Sequence, residues 1–156
     1  MELRPYADRD AAATRRVFER AVRITASADY TSQQVAAWAP VSSDSSELSA
    51  WAAARRAATT IVAVEGLAVV GFSDLVQGSL LDMLFVDPAA SRRGIGSALV
   101  RRIVSIARRG DATELETYAS LTARPLFERL GFAVIEQRTP VVRGVAMTNF
   151  RMRLDL

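Results

Sequence analysis

The sequence predicts an α/β domain built on a mixed, mostly antiparallel sheet of about seven strands with about four helices. Three observations carry that prediction. Residues 59–87 hold three strand-patterned runs, TTIVAVE, LAVVGFSDLV and LLDMLFVD, separated by the turn signals EGL and QGS, and this is the pattern of an antiparallel meander. Residues 94–109, GIGSALVRRIVSIARR, form the clearest amphipathic helix in the chain. A further strand, TELETYA, follows that helix. A strand–helix–strand step demands one parallel pairing inside an otherwise antiparallel sheet.

Taken in order, MELRPY reads as the first strand. Asp8 is placed to cap a helix over RDAAATRRVFERAVRIT, where Ala13, Val17, Ala21 and Ile24 recur at helical spacing. ASADY connects to a short helix, TSQQVAAWA, capped by Thr31 and stopped by Pro40. VSSDSS, residues 41–46, is a Ser-rich loop, and ELSAWAAARRAA is another helix. After the meander, the long helix sets Ile95, Leu99, Ile103 and Ile106 on one face beside Val100 and Val104. Ser97, Arg101, Ser105 and Arg108 lie opposite, and Gly110-Asp111 ends the helix. LTARPLFERL is a helix closed by Gly131, FAVIEQRT is a strand, and VVRGVAMTNFRMRL is a strand pair turning near Arg143-Gly144. No linker composition or internal repeat interrupts the chain, so residues 1–156 read as one domain.

Composition narrows the chemistry. The 156 residues are 50% hydrophobic and 24% charged, a globular balance. There is no Cys, which excludes disulfides, thiolate metal sites and a thioester-forming nucleophile. There is no His, the commonest general base and metal ligand, and no metal is expected. All 20 basic residues are Arg, so a P-loop lysine and a Schiff-base lysine are excluded too. Proton transfer is left to Asp, Glu, Tyr, a chain terminus or water. The net charge of +3 favours anionic ligands. The arginines are nevertheless dispersed, without the basic blocks and interleaved aromatics of a nucleic-acid surface. No apolar run approaches membrane-spanning length and no signal-peptide core is present, so the expected location is the cytoplasm, with no membrane partner.

The stretch LFVDPAASRRGIGSALV combines a strand, a Gly- and Arg-rich turn and a helix start, which is a device for holding phosphate. A Walker loop requires a lysine that is absent. A dinucleotide fingerprint requires a third glycine where Leu99 stands, and it belongs near the start of a strand–helix–strand fold, not after a meander. The remaining device is an acyl-coenzyme A loop. LDMLFVDPAASRRGIGSALV resembles the coenzyme A loop of the GNAT superfamily of N-acetyltransferases, and SLTARPLFERLGF resembles that superfamily's second motif. The resemblance runs along the whole chain, and segments such as TASADYTSQQVAAWA and GVAMTNFRM are similar to a group of small bacterial GNAT proteins.

The resemblance implies a GNAT-like fold and an enzyme that moves the acetyl group of acetyl-CoA directly to a primary amine of a small molecule, peptide or protein. It implies that amides from Arg93 through Gly94, Ile95, Gly96 and Ser97 hold the pyrophosphate. The backbone of Leu84, Phe85 and Val86 would pair with the pantetheine arm. Two departures stand out. Ser91 replaces the usual Gln or Arg of the loop, with Arg92 and Arg93 offering the lost positive charge. In the second motif Ser120 replaces an Asn, and Phe127 replaces the Tyr that protonates the departing thiolate. The second departure raises an alternative: a coenzyme A-binding sensor or partner module without catalysis.

For the chemistry, Asp82 is the candidate base. It sits in the apolar run LLDMLFV, where period-two alternation puts it on the side of Leu84 and Val86 and burial would raise its pKa. Tyr118 is the candidate acid, with Tyr30 as another phenol in a segment expected to overhang the acceptor. Trp38 is expected to pack the short helix and line the same pocket. Arg92, or one of Arg101, Arg102, Arg108 and Arg109, is available for the 3′-phosphate. The C-terminal hairpin offers an edge on which a homodimer could form.

Overall fold

The computed structural model describes residues 1–42 and 44–156. Its strands are β1 (Glu2–Pro5), β2 (Thr59–Glu65), β3 (Ala68–Val76), β4 (Leu80–Val86), β5 (Glu114–Ser120), β6 (Ala133–Arg138), β7 (Val141–Val142), β8 (Val145–Ala146) and β9 (Asn149–Asp155). Seven of them form one sheet in the order β1-β2-β3-β4-β5-β9-β6, and β7 and β8 form a separate small hairpin. The meander β2–β3–β4 is antiparallel throughout, β4 and β5 pair in parallel, and β9 inserts antiparallel between β5 and β6. The single parallel step falls where the strand–helix–strand pattern requires it.

The helices are α1 (Ala11–Arg20), α2 (Ser32–Trp38), α3 (Ser45–Ala57), α4 (Ile95–Arg109) and α5 (Arg124–Arg129). On one face of the sheet α4 buries Ile95, Leu99, Val100, Ile103 and Ala107 against Ile61, Leu75, Leu81 and Leu115. On the other face α1, the turn that follows it and α3 pack Val17, Phe18, Val22 and Trp51 over Val62 and Phe72. Trp51 donates its indole N–H to the Thr14 hydroxyl at 3.0 Å, which satisfies both buried polar groups.

Several local expectations shift for physical reasons. Asp8 does not cap α1 but pairs with Arg56 at 2.9 Å. The helix starts at Ala11 after a short 3₁₀ turn, and the carboxylate that stabilises the entrance is Asp10, which accepts the Ala7 N–H at 2.8 Å. Ile24 is 52% exposed, because Ala21–Thr25 forms a wider π-helical turn that rotates it off the apolar face. Thr31 caps α2 as expected, in a reciprocal box with Gln34. The Ser-rich loop is shorter than expected, since Asp44 accepts the Ser46 N–H and α3 begins at Ser45; Ser43 of that loop lies outside the described residues. At the end of α4 the residue with positive φ is Asp111 (+67°), not Gly110.

Arg4 grips Asp10 through two hydrogen bonds of 2.8 and 2.9 Å. They hold the Asp10 carboxyl below the usual carboxylate range, against the opposing effect of its burial. Stabilisation from a depressed carboxyl is present above its unfolded pKa and is lost as pH falls through the native value. Asp10→Ala is therefore expected to cost about 1–3 kcal/mol at pH 7, and urea denaturation should show the deficit shrinking at pH 3.

Candidate active site

The site originates in a failure of strand pairing. β4 and β5 are in register only at Leu80–Glu116 and Leu81–Thr117. The Thr117 hydroxyl then donates to the Leu81 carbonyl at 2.8 Å, and beyond it the two strands part. On its other edge β4 stays paired with β3, where the Asp87 N–H donates to Val70 at 2.8 Å. Alternation from that bond turns the N–H and C=O of Leu84 and Val86 away from β3, into the gap. The backbone of β4 is thus unpaired with β5 at Leu84 and Val86.

A bulge shapes the edge of the gap. Ser73 faces Leu84 whereas Leu75 faces Leu81, so β4 carries one extra residue across Asp82–Met83. Both peptide groups of Met83 are taken up by side chains of β3. Asp74 Oδ1 accepts the Met83 N–H at 2.9 Å, and the Ser73 hydroxyl donates to the Met83 carbonyl at 2.7 Å. Asp74 is fully buried, with Oδ2 lying 3.0 Å from Arg55 Nε; the two charges attract, but neither atom is aligned for a hydrogen bond. The Arg55 guanidinium lies over the Trp51 ring at 4.5 Å. Burial pushes the Asp74 carboxyl up to about 6, opposed by Arg55 and reinforced by the nearby Asp82 charge. Sequence reading passed over Asp74; the available signal was one carboxylate inside the apolar run of β3.

The bulge also corrects the parity argument for Asp82. Alternation does not carry across an inserted residue, so Asp82 does not share a face with Leu84 and Val86 by period two. Its side chain is solvent-exposed, not enclosed by its apolar neighbours.

At the Gly-Arg turn, Arg92 (φ +60°) and Gly94 (φ +80°) both adopt left-handed conformations, and α4 starts immediately afterwards. The amides of Gly94 through Ser97 find no acceptor among the described residues, and the first bond of the helix is Ala98 N–H to Gly94 C=O. Successive free amides at a helix start form an anion cradle. Gly96 lets α4 approach α5 closely, since a Cβ there would come within 3.0 Å of the Leu126 side chain. The Arg93 side chain is committed elsewhere, to Glu65 at 2.7 and 2.9 Å. Arg92 faces the cradle, joined by Arg129 of α5, which sequence reading did not single out. Arg101, Arg102, Arg108 and Arg109 lie on the exposed face of α4, away from it.

Two cavities flank the gap. The first, about 600 Å³, runs from the Gly-Arg turn past Leu84, Phe85 and Val86 to Ser120. The second, about 400 Å³, is lined by Asp82, Tyr118, Tyr30, Phe127 and Asn149. They share Trp38, Leu84, Phe85, Ser120 and Ala123, so a molecule lying in one reaches the other through the gap. Their volumes are those of small-molecule sites.

Not every predicted side chain has a free functional group. The Tyr30 hydroxyl donates to the Thr148 carbonyl at 2.6 Å and accepts the Leu121 N–H at 2.9 Å, and burial pushes its pKa up. It is a staple between β5 and β9. Phe127 is 2% exposed and packs edge-on against Phe132 at 5.0 Å. The Ser120 hydroxyl accepts the Ala123 N–H at 3.0 Å and shapes the turn into α5. Trp38 packs against Tyr30 and Phe85. Tyr118 is 41% exposed, with the Arg138 guanidinium 4.4 Å from its ring, and its hydroxyl has no hydrogen-bond partner among the described residues.

A family model described as an acetyltransferase (GNAT) domain matches residues 26–154. An uncharacterized N-acetyltransferase of Escherichia coli K12, YafP, is 37% identical over 153 residues, 98% of this chain and 95% of that protein. The crystal structure of a GCN5-related N-acetyltransferase from Rhodopseudomonas palustris superposes with a TM-score of 0.93 at 29% identity, over 99% of this chain and 95% of that one. The yncA protein of Salmonella typhimurium, solved with its cofactor acetyl-CoA, shares the fold at a TM-score of 0.74 and 24% identity, over 100% and 94% of the two chains. No helix among the described residues is long and apolar enough to cross a membrane.

A carboxyl whose native pKa is raised binds more protons folded than unfolded, so stability falls as pH rises between the two values. For Asp74 that window runs from 3.8 to about 6. Denaturation at pH 4, 5 and 7 should show Asp74→Asn losing this component, at most about 1.4 kcal/mol per pH unit.

Proposed function

The chain belongs to the GNAT family of acetyltransferases, and we propose that it transfers the acetyl group of acetyl-CoA directly to a primary amine. The observation that carries this reading is the pair of cavities meeting across the β4–β5 gap, one ending on a cradle of free amides and the other on a carboxylate. The residues fit coenzyme A. The amides from Arg93 to Ser97 take the diphosphate, with Arg92 and Arg129 adding positive charge. Leu84 and Val86 offer strand-like hydrogen bonds to the pantetheine arm from the unpaired edge of β4, and Phe85, Ser120 and Phe127 supply the walls.

Acetyl-CoA supplies an activated acyl group and a thiolate leaving group. Asp82 takes the proton of the acceptor ammonium, so that the amine nitrogen carries a free lone pair. The Leu84 N–H, turned into the gap and held by the pinned bulge, is the donor for negative charge developing on the carbonyl oxygen. Tyr118 delivers the proton that the departing sulfur needs. Tyr30 is excluded from that role because its hydroxyl is saturated by Leu121 and Thr148, and it contributes with Trp38 as wall. No Cys is present to carry an acetyl group, so both substrates must be bound together.

Thiol release on mixing acetyl-CoA with a panel of amines tests the reading. Thermal stabilisation by acetyl-CoA without turnover of any amine would instead favour the sensor alternative. At about 100 times its Kd, acetyl-CoA should raise the melting temperature by roughly 5–10 °C. Arg129→Ala should weaken acetyl-CoA binding about 5-fold at low salt, whereas Arg93→Ala should change it by less than about 2-fold. Asp82→Asn should lower kcat by about 10²-fold or more with the KM for acetyl-CoA unchanged, and retention of most turnover on a good acceptor would remove the base assignment.

A further inference from the structure

The N–H of Leu84 faces the gap, and its direction is set by the peptide group that joins Met83 to Leu84. No cis peptide bond occurs among the described residues. The Met83 carbonyl and the Leu84 N–H therefore share one plane and point in opposite directions. Whatever fixes that carbonyl also aims that amide.

Ser73 fixes the carbonyl. Its hydroxyl donates to the Met83 carbonyl at 2.7 Å, and the side chain stands opposite Leu84 in the β3–β4 pair with no exposed surface. Along β3, Leu75 belongs to the core under α4 and Phe72 to the core under α1 and α3. Alternation then puts Ser73 on the α4 side and Asp74 on the other. Met83 is thus gripped from both faces of the sheet, with Asp74 Oδ1 accepting its N–H at 2.9 Å. A swing of the Leu84 N–H out of the gap would break the Ser73 bond.

Packing alone gives no reason for a hydroxyl here. Its neighbours on that face of β3 are Gly71, which lies against Ile95 and Leu99, and Leu75. An apolar side chain would fill the place without the cost of burying a polar group. The bond has an electronic effect as well. A carbonyl that accepts a hydrogen bond polarises its own amide, so the N–H of the same group donates more strongly, by about 10–30%.

We propose that Ser73 is a positioning residue for acetyl transfer, which aims and polarises the Leu84 N–H at the thioester carbonyl oxygen by holding the Met83 carbonyl. This rests on the reading that acetyl-CoA lies in the β4–β5 gap with its thioester beside Leu84. Negative charge gathers on that oxygen as the amine attacks, so the aim matters most in the transition state. Ser73 is buried beneath the strand and touches neither substrate.

Three variants separate the hydroxyl from its volume. Ser73→Thr keeps the hydroxyl, Ser73→Val carries a methyl in its place at the same size, and Ser73→Ala removes it without adding bulk. Melting of each acetyl-CoA-loaded protein checks that it is folded. In the thiol-release assay, Ser73→Val and Ser73→Ala should lower kcat about 10-fold or more, with the KM for acetyl-CoA within about 2-fold of the native value. Ser73→Thr should retain most of the native kcat. A second measurement needs no acceptor: the infrared carbonyl band of acetyl-CoA labelled with carbon-13 at the acetyl carbonyl. The band should move to lower wavenumber on binding to the native protein and to Ser73→Thr, and lie back towards its solution position in Ser73→Val and Ser73→Ala. A folded Ser73→Ala or Ser73→Val protein with the native kcat, or with the band where the native protein puts it, overturns the inference and leaves acetyl transfer standing. A band that depends on the Ser73 hydroxyl while no amine is turned over supports the aim of Leu84 and overturns the transfer reading.

Discussion

Everything about the site depends on one interruption: β4 and β5 pair for two residues and then separate. A sheet that continued its ladder would satisfy Leu84 and Val86 with the backbone of β5 and leave no room between the strands. Parting them exposes hydrogen-bonding groups at the centre of the sheet, which a folded protein tolerates only where something else answers them. The Thr117 hydroxyl closes the ladder at Leu81, and α4 and α5 cover one end of the opening while α2 and the β7–β8 hairpin cover the other. The gap is thus framed by ordinary helices and turns around a deliberately unfinished sheet.

The bulge beside it is held by unusual means. An inserted residue normally leaves its peptide groups to water, but Met83 sits between packed layers, and Asp74 and Ser73 supply the missing partners. Burying a carboxylate for this purpose is costly, and Arg55 offsets part of that cost by charge without a well-aligned hydrogen bond. An ion pair of this kind adds little net stability. What it supplies is a fixed direction for one peptide group, and through it the aim of the next amide along the strand.

Much of this was legible in the sequence because it rests on local signals. The meander, the parallel step and the buried face of α4 follow from periodicity and turn residues, and the free amides of the Gly-Arg turn follow from glycine spacing before a helix. What escaped needed contacts between distant residues. The bulge at Asp82–Met83 has no mark of its own, since Leu, Asp and Met there read as a plain strand, and its anchors stand nine and ten residues away on β3. Arg93 looked like a phosphate ligand until Glu65 claimed it, and Arg129, which carries no motif, is set at the rim of the first cavity by α5. Tyr30 looked available, but its hydroxyl is spent on Leu121 and Thr148, 91 and 118 residues further along. Asp8 looked like the cap of the first helix, but Arg4 on β1 holds Asp10 at its entrance instead.

The arginines facing the first cavity have one more consequence. Lysines in the places of Arg92 and Arg129 could also balance phosphate charge, yet each would add a nucleophilic amine to a protein that handles a thioester. A guanidinium stays protonated and does not attack acyl carbon under ordinary conditions. With no lysine anywhere in the sequence, no side chain carries a primary amine. A protein of this composition can remain loaded with an acylating agent without modifying its own side chains, and its chemical durability is written into the choice between two basic residues.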